Sequence, residues 1–389
     1  MSQGTTVEAV AELRAGVLRA LGATPDETDE LLRYGENVFD LDGAPGPGDF
    51  PLPDEPFVGA WEGYVAEAES RGVFPVLRER LVQLRFPVRA GISESEEYQA
   101  AIRRGIVPDG EAEGLALEAP ERLRLFLHPT AAGRVPVLVA GCREDFVALL
   151  RALARRNEPD PVPTSMGACT VGGFVNWDRV AELRRRFERG ELDADGASDW
   201  GTAFAWVRER RELYQDRFVL LGPGGYSGVS ATDLGLTGDE WLRTSLTIRL
   251  EHECAHYFTR RVLGSMRNAL HDELIADYAG IVEAAGRFRA DWFLRFMGLE
   301  DPSGYRPGGR LENYRGKPPL SDGAFAVLQS LVRSAARNLE EADRRLRSSS
   351  RAHPQVPAVL LALASVGLEE LAAGGGADRL ITRAVVPHG

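Results

Sequence analysis

The sequence predicts a mostly helical α+β fold, with a small mixed sheet, an N-terminal α/β region and C-terminal helices. Three observations predict it. Apolar residues recur at helical spacing over most of the chain. Only a few short segments read as strands, and stretches rich in Gly and Pro interrupt the pattern at 43–56, 157–163 and 301–323. At 389 residues the chain has room for two domains or one large one. Its 44% hydrophobic and 27% charged residues exclude disorder throughout. No apolar run approaches the roughly 18–20 residues that span a bilayer, so a membrane is not expected as a partner.

Taken in order, residues 6–42 read as two helices around Gly22-Ala23-Thr24-Pro25, with Leu13, Val17, Leu18 and Leu21 on one face. Helices are predicted at 57–69, 74–84 and 94–104. Residues 122–128 alternate like a strand, and 134–140 read as a second strand that Pro136 favours for a sheet edge. Helices follow at 144–156, 177–189 and 199–213, then a short apolar strand at 217–221. Thr164 to Phe174 reads as plain loop, and Gly222 to Gly228 as a turn, since no Lys-Ser/Thr follows to make a phosphate loop. Long helices are expected at 238–263, 269–285, 288–297, 323–347 and 355–372. Gly374-Gly375-Gly376 then stops the pattern before a loose tail.

The net charge, 46 − 58 = −12, makes the chain a poor general binder of phosphate backbones, so nucleic acid is not an expected partner. Cys142, Cys169 and Cys254 are odd in number and widely spaced. No basic cluster followed by an apolar stretch marks the N-terminus. Both features point to the cytoplasm.

The chemistry concentrates at His252-Glu253-Cys254-Ala255-His256. Each helical residue advances about 100°, so His256 lies about 40° and Glu253 about 100° from His252, while Cys254 points away. Two imidazoles one turn apart can reach one metal ion. Thr237 to Glu240 has the pattern of a capping box that starts this helix. The helix is largely apolar, so two histidines and a carboxylate in it need partners, and a cation supplies them. Zinc suits imidazole better than magnesium or calcium does. A catalytic site needs a third protein ligand. The next helix offers Glu273 and Asp277 on one face, with His271 and Asp272 as alternative ligands.

His252-Glu253-x-x-His256 followed by Glu273-x-x-x-Asp277 resembles the gluzincin group of zinc metallopeptidases, to which thermolysin belongs. The resemblance covers residues 215–285. It implies a zincin-like catalytic core at about 161–300, between a mostly helical region with a strand pair at 1–160 and a C-terminal helical region at 301–389 that packs on it. It implies one zinc ion on His252, His256 and Glu273, with Glu253 activating a water. It also implies that Asp277 accepts a hydrogen bond from His252 and orients it. The strand at 217–221 would then be an edge strand that pairs with substrate. Candidate donors to a transition state are Tyr226, Tyr305, Arg310, Tyr314 and His353, and Arg249 can bind a substrate carboxylate or pair with an acid.

The expected function is a zinc-dependent hydrolase acting on a peptide or small amide. One alternative is a zinc-stabilised binding or scaffold protein, its metal closed by a fourth ligand such as Cys142, Cys169 or His271. The other is a metal-dependent amidohydrolase with a small non-peptide substrate.

Overall fold

The computed structural model describes residues 3–106, 114–266, 269–348 and 355–385. Two helices open the chain, α1 (Gln3–Ala20) and α2 (Pro25–Tyr34). The second begins at a capping box in which Thr24 and Glu27 satisfy each other's backbone N–H. Next come α3 (Val58–Arg71), α4 (Val73–Arg80), α5 (Glu96–Arg104), β1 (Arg124–His128), β2 (Val135–Val139) and α6 (Arg143–Ala154). They are followed by β3 (Ala168–Val175), α7 (Trp177–Glu188), α8 (Trp200–Glu209) and β4 (Gln215–Leu221). From there the regular elements of the described residues are helical: α9 (Gly238–Val262), α10 (Ala269–Ala285), α11 (Ala290–Met297), α12 (Asp322–Ser348), α13 (Val356–Ser365), α14 (Leu368–Ala372) and α15 (Gly376–Val385). The mostly helical α+β expectation holds, and no described helix is long and apolar enough to cross a membrane.

The chain divides into two compact units, 52–224 and the discontinuous set 1–51 with 225–389. This differs from the expected boundaries near 160 and 300. The reason is long-range burial: α1 packs on α14 and α2 on α12, so the N-terminal helices complete a core built by the C-terminal ones. The expected 161–300 region is therefore split at 224.

The four strands among the described residues lie in the 52–224 unit, in the order β1-β2-β4-β3. β1 and β2 are antiparallel, β2 and β4 parallel, and β4 and β3 antiparallel. β4 is thus central rather than the expected edge. It is buried along most of its length and held by Asp216, which accepts from Trp61 Nε1 at 2.8 Å and Asn176 Nδ2 at 2.7 Å. Pro136 does not put β2 at an edge either. The ladder to β4 runs only through Val137, Leu138 and Val139, so the missing N–H of Pro136 falls outside it. β3, expected to be loop, is an edge strand with a bulge where Gly173 takes φ +69°. The expected loose tail after Gly376 is α15, whose Leu380 and Ala384 are buried.

In the other unit, α9 and α10 lie side by side, and α13 packs on α10. α9 and α10 come close together at Gly280, where a Cβ would lie 2.6 Å from the Ile248 carbonyl oxygen. Ile248 is one turn before His252 and Gly280 is one turn after Asp277, so this contact sets the spacing of the two site helices. Gly280→Ala gains about 1 kcal/mol of helix propensity. We expect overpacking to outweigh that gain, with a net loss of about 1–3 kcal/mol. A denaturant midpoint that stays or rises would contradict the close approach.

Candidate metal centre

α9 starts at Thr237, whose hydroxyl caps Glu240 N–H while Glu240 returns to Thr237 N–H at 2.9 Å. About four to five turns inside, His252 and His256 are 7% and 6% exposed, and Glu253 beside them is 9% exposed. α10 brings Asp272, Glu273 and Asp277 against them.

Each imidazole has one nitrogen tied to a buried carboxylate. His252 Nδ1 lies 2.9 Å from Asp277 Oδ1, and His256 Nδ1 lies 2.8 Å from Asp272 Oδ2. Donation to those carboxylates holds a proton on each Nδ1 and leaves each Nε2 facing the other ring, as the nitrogen able to ligate a cation. The two Nε2 atoms are 3.1 Å apart, with the rings at 88°. Glu273 straddles them, its Oε2 3.5 Å from His252 Nε2 and its Oε1 3.6 Å from His256 Nε2.

Three electron-pair donors therefore converge. A proton shared by the two nitrogens would satisfy that pair alone, whereas a cation would satisfy all three. Ligands about 2.0–2.1 Å from one tetrahedral ion stand about 3.3–3.4 Å apart, close to these separations. The donor set fits a zinc-sized ion.

Electrostatics makes the same demand. Burial pushes the His256 imidazole down. The Asp272 hydrogen bond and the charges of Glu273, Asp272 and Glu253 outweigh burial and raise its pKa to about 10, so a cation bound here takes the place of a proton on this ring. Burial likewise pushes the Asp277 carboxyl up, but Arg310 and the hydrogen bonds from His252 and Tyr226 hold it at about 2. The site is thus poised for added positive charge.

The candidate residues sort clearly. His252, His256 and Glu273 come together, and Asp277 reaches His252 as the resemblance implies. Asp272 is not in the converging group of His252, His256 and Glu273: its Oδ2 bonds His256 Nδ1, and its Oδ1 is buried without a hydrogen-bond partner. His271 faces away, with its Nε2 2.8 Å from the Leu363 carbonyl, and burial pushes its pKa down. Arg249 binds the Gly225 carbonyl at 2.6 Å. Tyr305 donates to the Gly309 carbonyl at 2.6 Å and packs on Phe325, which removes it from the site. His353 lies outside the described residues.

Tyr226 and Arg310 are at the site in a different capacity from the one expected. The Tyr226 hydroxyl donates to Asp277 Oδ1 at 2.6 Å and lies 3.0 Å from His252 Nδ1. Arg310 pairs with Asp277 Oδ2. Neither signal was local, because both contacts span tens of residues. Asp272 adjoins Glu273 in sequence, and that adjacency was the one readable hint of its role.

We expect Asp277→Asn and Asp272→Asn each to lower divalent-metal affinity by roughly 10–100-fold with the fold intact. Chelator competition measures this, and wild-type affinity in both variants would remove the two carboxylates from the site's design.

No curated protein and no solved structure matches this chain. One family does match, over residues 16–375, nearly the whole length. The chain therefore belongs to DUF7005, a family of unknown function.

Proposed function

We propose that this chain is a zinc-dependent hydrolase, a cytoplasmic metallopeptidase holding one zinc ion on His252, His256 and Glu273. The observation that carries the proposal is the convergence of two imidazole Nε2 atoms and a carboxylate within 3.1–3.6 Å of one another. Nitrogen and oxygen donors in this number suit zinc over magnesium or calcium.

When bound there, zinc supplies Lewis acidity that lowers the pKa of a water toward neutrality and polarises a carbonyl. The rest falls to the chain's own residues. Glu253, the motif acid beside both histidines, accepts the water's proton as the water attacks and can return it to the leaving amine. Asp277 and Asp272 keep the imidazole protons on Nδ1, so that Nε2 stays a ligand. Burial of His252, Glu253 and His256 keeps bulk water from competing for these groups.

A zinc-stabilised binding protein would use the same three donors and close the site with a fourth. Among the described residues the cluster counts three, and His271 is engaged elsewhere, which favours an open position for substrate. The substrate is then a peptide or a small amide.

Elemental analysis should find one zinc per wild-type chain and a large loss in His256→Ala. Full occupancy in that variant would contradict the ligand set. Glu253→Gln should keep its zinc and cleave a peptide library about 10²–10⁴-fold more slowly than wild type. A Glu253→Gln rate near that of the wild type would dismiss Glu253 as the base, and no cleavage by the zinc-loaded wild type would count against a peptidase.

A further inference from the structure

The loop after α11 does more than connect. It folds back so that Gly309 meets Gly298: a Cβ on Gly309 would lie 2.7 Å from both Gly298 Cα and the Met297 carbonyl oxygen. Only glycines permit this approach. Gly298 also takes φ +80°, in the left-handed region that ends α11. Arg306 N–H donates to the Gly298 carbonyl at 2.8 Å, and Tyr305 holds the Gly309 carbonyl. The next residue is Arg310, which opens a single turn, Arg310–Tyr314.

That turn faces α10 in register. Arg310 and Tyr314 are four residues apart, as are Glu273 and Asp277. Arg310 pairs with Asp277 and stands 4.0 Å from Glu273 Oε2, and Tyr314 faces the Glu273 carboxylate, whose charge adds to burial in pushing the phenol pKa up. Arg310 also reaches Ser227 Oγ at 3.1 Å and donates to the Tyr226 hydroxyl, which itself touches Asp277 and His252. From behind, Tyr34 of α2 donates to the Tyr314 carbonyl at 2.7 Å. The Arg310 side chain is 14% exposed, and burial of a guanidinium is costly unless its partners are fixed.

We propose that Arg310 and Tyr314 are positioning residues for the metal: together they clamp Asp277 and Glu273, so that the turn fixes both the orientation of His252 and the direction of the Glu273 carboxylate. The inference rests on the metal-centre reading above. Arg310 acts through Asp277, and Tyr314 acts on the ligand carboxylate; neither needs to touch substrate. A fork of two N–H groups suits Arg310, which engages Asp277 and Tyr226 together, and a lysine would supply only a point charge.

The test uses the full chain and zinc alone. Zinc affinity is measured by chelator competition for wild type, Arg310→Gln, Arg310→Lys and Tyr314→Phe, together with the thermal unfolding of each metal-free protein. We expect Arg310→Gln to bind zinc roughly 10–100-fold more weakly, with Arg310→Lys between it and the wild type. Tyr314→Phe should bind several-fold more weakly, with metal-free unfolding unchanged. The visible absorption of the cobalt-substituted protein should also change in shape in Tyr314→Phe, since the ligand carboxylate loses the hydroxyl that faces it. If Arg310→Gln does not fold, Arg310→Lys and Tyr314→Phe decide alone. Wild-type affinity and an unaltered cobalt spectrum in these two would overturn the clamp while leaving the metal centre intact. Failure of the wild type to bind zinc stoichiometrically would instead overturn the metal centre itself.

Discussion

A crowd of buried carboxylates around two histidines is the constraint on which the rest depends. Asp272 and Asp277 are almost wholly buried, Glu253 nearly so, and Glu273 is largely enclosed. Such a cluster costs free energy unless positive charge offsets it. Arg310 offsets part of it through Asp277, and the imidazoles answer with a raised pKa at His256. The geometry of the remaining donors then follows. With a proton held at each Nδ1, the three atoms left facing one another are those that can ligate, and a divalent cation that displaces the second proton of His256 suits all three.

Much of the surrounding architecture serves that arrangement. The helix that carries the motif starts at a capping box, and its neighbour approaches closely enough that only glycine fits at 280. The loop that brings in Arg310 turns on the pair Gly298 and Gly309. These glycines give up helix propensity or chain stiffness, and what they gain is distance: side chains from α9, α10 and the 310–314 turn meet within hydrogen-bonding range.

The sequence was informative where chemistry is local. Spacing alone placed His252, Glu253 and His256 on one arc, and Glu273 and Asp277 on one face. Thr237 and Glu240 announced the start of α9 correctly. Reading failed where structure is decided at long range. β3 was hidden because Gly172 and Gly173 look like a loop, yet they make a bulge on an edge strand. The apolar run at 217–221 could not say whether neighbours lie on one side or both, and β4 has both. Three consecutive glycines suggested an end before α15. Nothing in local pattern could pair residues 1–51 with the C-terminal helices, or bring Tyr226 and Arg310 to Asp277. Asp272 had the right residue type and the wrong role, since a carboxylate can ligate a metal or orient a ligand and only geometry separates the two.

The central claim is that His252, His256 and Glu273 share one zinc ion, and X-ray absorption at the zinc edge of the full-length protein tests it most directly. The account predicts one zinc per chain with a shell of nitrogen and oxygen neighbours at about 2.0–2.2 Å, two of them imidazoles, and no sulfur. A protein that takes up no stoichiometric zinc would contradict it, as would a shell containing thiolate sulfur at about 2.3 Å.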